Sequence, residues 1–137
     1  MSVKPGDKMP DGSIYIGKSV ITGDALYAMA KDAPMTCKWP VAMKYAQTSK
    51  ECGHNDWRVP TEDEMKAISK RRDRGALKGT FNDSSLTSER LYWTSQEIFY
   101  PGDVHAVTID VLRSDERWAD KFKAVNLRLV RSGPLPS

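Results

Sequence analysis

The sequence offers little material for the commonest catalytic and metal-binding sites, because its 137 residues include only two cysteines and two histidines. It contains no Gly-x-Ser-x-Gly motif, no glycine-rich phosphate loop and no pair of histidines at helical spacing. These absences remove the usual nucleophilic, phosphate-binding and zinc-binding patterns. We therefore expect a protein that is not an enzyme and that carries no cofactor.

Long apolar runs are also missing. No run approaches the roughly 18 residues of a transmembrane helix, so we expect no membrane span. The first residues lack the apolar stretch of a secretory signal peptide, which favours a cytoplasmic or virion-associated protein. Cys37 and Cys52 flank a predicted helix that would hold their thiols roughly 20 Å apart, whereas a disulfide requires Cα atoms within about 7 Å. We expect free thiols, as in a reducing compartment.

A strong charge of one sign is absent as well: 21 basic and 18 acidic residues leave a net charge of +3. The charges are interspersed, which is typical of a solvated mixed surface and does not predict a nucleic-acid interface. Lys70, Arg71, Arg72 and Arg74 nevertheless cluster at the end of a predicted helix. There they either complement the helix dipole or contact an acidic partner.

A chain of this length favours a single domain. We place a flexible lead-in at 1–12, the domain at 13–131 and a tail at 132–137. Apolar patterns and turn signals predict an α+β domain that begins with a β-hairpin. The predicted strands are 13–17, 26–30, 91–95, 105–112 and 125–131, and the predicted helices are 38–50 and 62 to either Gly75 or Gly79.

The most regular local pattern is Trp57-Arg58-Val59-Pro60-Thr61. Its threonine and Glu64 form a capping box, and its proline disfavours a helical conformation at the preceding valine. We expect its tryptophan and valine to pack in the core and its arginine to bond nearby carbonyls or a carboxylate. The residues to which we assign structural roles are Trp57, Arg58, Pro60, Thr61, Glu64 and Trp93.

The same segment is part of a larger pattern. Its pieces are Asp56-Trp57-Arg58-Val59-Pro60-Thr61 with Glu64, Tyr92-Trp93-Thr94-Ser95, Ala106-Val107-Thr108-Ile109-Asp110 and Leu127-Arg128-Leu129-Val130-Arg131. This pattern, over about residues 11–131, resembles the Lcl C-terminal domain family, which is named after a bacterial collagen-like adhesin. The resemblance implies a C-type-lectin-like fold with two helices, a small twisted antiparallel sheet and long irregular loops. Members of the family are mostly adhesive or ligand-binding.

The implied fold is shared with formylglycine-generating enzymes and with the variable proteins of diversity-generating retroelements. A cysteine found in the last strand of many relatives is replaced here by Leu129. Cys37 and Cys52 do not occupy the positions of the enzymes' catalytic cysteines. The Glu-Pro-Asn signature of sugar-binding lectins is absent. These departures point away from the enzymatic branch and from sugar binding by that route.

In the retroelement-diversified relatives, the ligand-contacting residues lie between the Tyr-Trp strand and the last strand. The same interval here supplies the candidate partner-binding residues Phe99, Tyr100, His105, Arg113, Trp118 and Lys121. Aromatic residues together with arginine are favoured in interface hot spots. Trp118 and Phe122 could equally fill the core, since buried aromatics are common.

We therefore expect a binding module of the adhesin, virion or cell-surface type that recognises a protein or glycan through this interval. The alternative is an intracellular inhibitor or regulator, encoded by a phage or mobile element, that docks on a protein or nucleic-acid complex through its cluster of basic residues. A third interpretation is an enzyme related to formylglycine generation, which would need a redox-active cysteine pair.

Metal binding has weak support in the sequence. His54 and His105, with Asp56, Asp103 and Asp110, do not show the spacing of a closed zinc site. Calcium held by loop carboxylates and carbonyls is the remaining cofactor hypothesis.

Overall fold

The chain folds into an α+β domain with two helices and two three-stranded antiparallel sheets, as seen in a computed structural model that describes residues 3–19, 22–99, 102 and 104–136. The helices are α1 (Trp39–Thr48) and α2 (Glu62–Lys70). The strands are β1 (Ile14–Lys18), β2 (Ala25–Ala28), β3 (Leu91–Ile98), β4 (His105–Asp110), β5 (Asp115–Asp120) and β6 (Val130–Gly133). Within the described residues, no helix has the length and apolar character needed to cross a membrane.

The first sheet has the order β1-β2-β6 and contains the predicted N-terminal hairpin. Residues of the predicted lead-in run alongside β1, where the Gly6 N–H donates to the Tyr15 carbonyl at 2.7 Å and Lys8 bridges Ile14. Gly6 also lies directly against the Arg74 backbone, and a Cβ there would come within 2.7 Å of the Arg74 carbonyl oxygen. Part of the predicted lead-in therefore packs on the domain.

The second sheet has the order β3-β4-β5. The family resemblance implies one small sheet, whereas the described residues form two. The edge strand β5 of the second sheet is absent from our predicted strands. The stretch Asp115-Glu116-Arg117-Trp118-Ala119-Asp120 is mostly charged, and only Ala119 is buried. A strand that buries so little shows no alternation of apolar and polar residues, and this is the signal on which sequence patterns depend.

The last predicted strand, 125–131, is also wrong in its extent. Regular pairing with β2 begins only at Val130 and continues to Gly133. Before it, the chain makes single bridges from Val125 to Cys37 and from Asn126 to Tyr92. Residues 125–129 are buried and connect the two sheets.

Both helices begin where the sequence predicts and end earlier. Pro40 lies in the first turn of α1, where its missing N–H is tolerated. At α2 the capping box is confirmed, since Thr61 and Glu64 each bond the backbone N–H of the other, at 3.2 and 2.9 Å. The helix ends at Lys70 because Arg71 leaves helical geometry, with φ −106° and ψ 12°.

Two apolar clusters form the core. The first lies under α1 and includes Trp57, Trp93 and Leu127, whereas the second lies under α2 and includes Met65 and Tyr92. Strand β4 serves both, because alternate residues point to opposite faces of a sheet. The predicted burial of Trp57 and Val59 is thereby confirmed. Cys37 and Cys52 are both free, as predicted.

Candidate partner-binding surface

Four apolar side chains are exposed at one end of the second sheet. Phe99, Trp118 and Phe122 are 69%, 55% and 65% exposed, and Val104 is 42% exposed. The register aligns Ile98, His105 and Asp120 in one row, and the Lys121 N–H donates to the Val104 carbonyl at 2.8 Å. Neighbouring strands lie about 4.8 Å apart, so Phe99, Val104 and Phe122 lie beside adjoining strand ends, and Trp118 lies two residues before the end of β5. We call them the aromatic surface.

Trp118 is exposed because it stands on an edge strand. It pairs with Val107, which is buried beneath α2 in the second cluster, but β5 extends past the cover of that helix. The Trp118 ring lies 6.4 Å from the His105 ring, measured between centroids. The imidazole Nδ1 of His105 is buried and has no hydrogen-bond partner among the described residues. Trp118 and Phe122 thus lie outside the core, which decides the question that their sequence left open.

Lys121 supports this surface from beneath. Its side chain is almost fully buried, and its ammonium lies 2.8 Å from Glu97 and 4.7 Å from the centre of the Trp39 ring. The Lys121 carbonyl accepts the Trp39 N–H at 2.8 Å. These contacts fix the end of β5 against α1 and leave little of the ammonium for a partner.

The other predicted contact residues are not all in one place. Arg113 is exposed in the β4–β5 turn, at the opposite end of the hairpin from the aromatic surface. Tyr100 lies outside the described residues. Val104 was missed by the sequence prediction, because a single valine beside a turn carries no distinctive pattern. The structure thus brings together Phe99, His105 and Trp118 from the predicted set.

The basic cluster divides into two pairs. Lys70 and Arg74 are exposed, whereas the guanidinium groups of Arg71 and Arg72 donate to the carbonyls of Ala67 and Ser69 at 3.2 and 3.0 Å. Those carbonyls belong to the last turn of α2, where helix carbonyls lack intrahelical donors. Arg71 and Arg72 therefore close the helix, and an acidic partner at this cluster stays a prediction.

The conspicuous motif around Trp57 holds the fold together. The Arg58 guanidinium forms a two-bond pair with the Glu64 carboxylate, with Nη2 2.7 Å from Oε2, and its Nη2 also donates to Ser132. Burial disfavours the charged form of Glu64, but the bonds from Arg58 and Thr61 outweigh it and lower the pKa of this carboxyl. Trp93 is fully buried and donates its indole N–H to the Cys37 carbonyl at 2.7 Å.

A buried ionic network escaped the sequence analysis. Arg128 is fully buried, lies 2.8 Å from the Asp32 carboxylate and stacks over the Phe81 ring at 4.1 Å. The Tyr92 hydroxyl donates to the same carboxylate at 2.6 Å. Burial raises the pKa of Asp32 despite these partners. No local signal links residues so far apart in the chain.

The described residues show no arrangement of side chains that supports a metal site or a reactive pair of thiols. Among the described residues, no three His, Cys, Asp or Glu side chains converge as ligands. His54 pairs with Asp11 at 2.7 Å, and Asp110 is held by Arg90. Asp103 lies outside the described residues, so the calcium hypothesis stays a prediction. Burial raises the pKa of both thiols, which keeps them protonated and poorly nucleophilic near neutral pH.

The described residues enclose cavities at two places on the domain. One of about 560 Å³ lies between the β1–β2 hairpin and α2, with Ile16, Leu26 and Ala67 among its lining. The other, about 400 Å³, is bordered by Tyr45 and Cys52. Their sizes fall within or near the usual range for small-ligand pockets.

Comparison with known proteins identifies the family. The family model of the Lcl C-terminal domain matches residues 21–131, which include both helices, the whole second sheet, strand β2 and the start of β6. No curated protein matches the chain. The matched span covers well over half of the chain, and the protein belongs to the Lcl C-terminal domain family.

Proposed function

We propose that this chain is a non-catalytic binding module that recognises a partner protein through the aromatic surface. The observation that carries the proposal is the exposure of Phe99, Val104, Trp118 and Phe122 at or near adjoining strand ends. Adjacent exposed apolar side chains are costly in water and commonly mark interaction sites. Other exposed apolar residues, such as Met35 and Leu86, lie singly in loops.

The composition of the surface favours a protein partner. Aromatic side chains bury large areas and lose little conformational entropy on binding, so they are enriched in hot spots. Glu116 and Asp120 flank Trp118 along β5 and supply a polar rim. Lys121 is held in place by Glu97 and Trp39, which makes the end of β5 a rigid platform. A preformed surface reduces the ordering cost of association.

The family supports the same class of function. Many of its members are adhesive or ligand-binding, and the resemblance implies a C-type-lectin-like scaffold, to which two helices and antiparallel sheets conform. We place the protein in the cytoplasm or on a virion, or on a cell surface as an adhesin. A glycan is the competing ligand class, because aromatic rings also stack on sugars.

Affinity capture with matched variants tests the proposal. Trp118→Ala and Phe122→Ala should each weaken capture of the partner from a host lysate about thirtyfold or more, since hot-spot truncations cost at least ~2 kcal/mol. Leu86→Ala removes an equally exposed apolar side chain elsewhere, so it should leave capture unchanged. Quantitative mass spectrometry compares the retained proteins, and a glycan array is probed with the same four proteins.

Unchanged capture by both aromatic variants would refute the aromatic surface. Binding to glycans that is lost in Trp118→Ala, without any protein retained, would replace the protein partner with a sugar. Near-ultraviolet circular dichroism of each variant shows whether the fold is preserved.

A further inference from the structure

The outer side of β5 differs from that of every other edge strand. In the described part of the chain, β1, β3 and β6 each receive backbone hydrogen bonds on their outer sides from a segment that is not a strand of the same sheet. Among the described residues, no other segment donates a backbone hydrogen bond to β5 or accepts one from it on that side. Proteins usually cover or block such edges, because unpaired backbone groups invite another strand. The covering bonds join Gly6 and Asp7 to Tyr15 of β1, Asn126 and Pro60 to Trp93 and Ser95 of β3, and Arg58 to Val130 of β6.

The register shows which groups of β5 face outward. Residues of an antiparallel pair alternate between exchanging both backbone bonds and turning away from each other. Because the Lys121 N–H bonds the Val104 carbonyl, Ala119 and Arg117 also bond β4. Glu116, Trp118 and Asp120 therefore direct their backbone groups away from the sheet. We call the N–H and C=O of Glu116 and Trp118, with the N–H of Asp120, the open edge; the Asp120 carbonyl accepts the Lys123 N–H.

The side chains beside the open edge carry a charge pattern. Glu116, Trp118 and Asp120 share one face of β5, so two carboxylates flank one exposed indole. The nearby ammonium of Lys66 is bound to Glu62 at 2.8 Å and does not neutralise Glu116 by direct contact. On the opposite face, Arg117 lies 3.6 Å from Asp115, which balances the charge there. The face that bears Trp118 is thus acidic.

A second copy of this chain would pair poorly with the open edge of β5. Pairing two β5 strands about a twofold axis at Trp118 would place Glu116 of each copy opposite Asp120 of the other. Moving the axis to Arg117 would oppose two guanidinium groups. Directly opposed like charges destabilise a strand pair. The charges on β5 therefore discriminate against self-pairing and favour a strand of the opposite charge.

We propose that the open edge binds an extended segment of the partner protein as a fourth, antiparallel strand of the β3-β4-β5 sheet. That segment carries a basic, an apolar and a basic residue at alternate positions, opposite Asp120, Trp118 and Glu116. The backbone groups supply the hydrogen bonds, and the flanking carboxylates and the indole select the side chains. This inference rests on the proposed function and names the chemistry of its partner.

Short peptides provide the probe. The acetylated and amidated peptide Ser-Lys-Thr-Ile-Thr-Lys-Ser places lysine, isoleucine and lysine opposite the three outward residues. A peptide of equal composition, Ser-Thr-Lys-Ile-Lys-Thr-Ser, moves its lysines away from the two carboxylates and is the matched control. We expect the first to bind about tenfold tighter, a difference of about 1.4 kcal/mol. Equal affinities, or no binding of the first peptide, would overturn the proposal.

Backbone methylation tests the added strand itself. In antiparallel pairing with Trp118, the isoleucine N–H faces β5 while each threonine N–H points away. An N-methyl group on isoleucine should abolish binding, and one on a threonine should leave affinity within about twofold. Equal effects at both positions would show that the peptide binds by side chains alone. Amide hydrogen exchange of Glu116 and Trp118 should slow when the unmodified peptide binds.

A charge exchange fixes the direction of the strand. Glu116→Lys should weaken binding of the original peptide and restore it for Ser-Lys-Thr-Ile-Thr-Glu-Ser, whose glutamate lies opposite position 116 in an antiparallel strand. The reversed peptide, Ser-Glu-Thr-Ile-Thr-Lys-Ser, should not be restored. Restoration by the reversed peptide only would overturn the antiparallel assignment. If Trp118→Ala abolishes partner capture while these peptides behave alike, the aromatic surface stands and the added strand fails.

Discussion

At the scale of single residues, Arg128 is the side chain whose removal should cost most. It is fully buried and holds Asp32, which also accepts the Tyr92 hydroxyl. Arg128→Leu would leave the partly buried Asp32 carboxylate without its cation, and breaking a buried ion pair typically costs up to ~3–5 kcal/mol. Arg117→Leu is the control, because its pair with Asp115 is exposed and spans 3.6 Å; such pairs contribute about 0–1 kcal/mol. Urea unfolding measures both losses, and similar losses would contradict the assigned role of Arg128.

The capping residue Glu64 should make the folded protein less stable as the pH falls. Its folded-state pKa lies below the ordinary value, so its contribution is present above that value and is lost as pH falls through the folded pKa. Glu64→Gln should therefore destabilise the protein near neutral pH, by about 1–3 kcal/mol for the loss of charged hydrogen bonds. The difference from wild type should shrink as pH falls from 5 towards 2.

Urea midpoints across that range measure the effect, and Glu62→Gln is a suitable control. Glu62 bonds Lys66 on the helix surface, where an ion pair contributes little. A gap between wild type and Glu64→Gln that stays constant with pH would mean that the side chain acts by packing, not by its charge.

At the scale of elements, local chemistry decided what could be predicted from sequence. The start of α2 follows from Pro60, Thr61 and Glu64, which act within four residues of one another. Strand β5 depends instead on pairing with β4, since its own residues are mostly charged and exposed. The last strand was placed too early because residues 125–129 alternate apolar and polar side chains as a strand does, yet they are buried without being paired regularly.

The candidate site shows the same division. Phe99 and Trp118 were identified from the interval that the family resemblance marks, and both are exposed. The burial of Lys121 could not be anticipated, because it depends on Glu97 and Trp39, which approach it only in the folded sheet. The open edge of β5 could not be predicted from the sequence either, since it depends on which segments cover the other edge strands.

At the scale of the whole molecule, the two apolar clusters should unfold together. β4 contributes Ala106 to the first cluster and Ile109 to the second, and the chain passes from Leu129 in one to Val130 in the other. Neither cluster can lose its packing without exposing the strand that supports its neighbour. A small domain with this connectivity should unfold in one cooperative transition.

Tryptophan fluorescence can separate the clusters, because Trp57 and Trp93 lie in the first and no tryptophan lies in the second. We expect the urea transition followed by fluorescence, in a Trp118→Phe background that removes the surface indole, to give the same free energy as hydrogen exchange of the Met65 and Ile68 amides in α2. A reductant should leave the midpoint unchanged, since both thiols are free. Exchange of the α2 amides at a markedly lower free energy would show that the second cluster opens alone. In that case the face of β4 that packs under α2 would open separately, and the platform beneath Trp118 would be less rigid than binding through the aromatic surface requires.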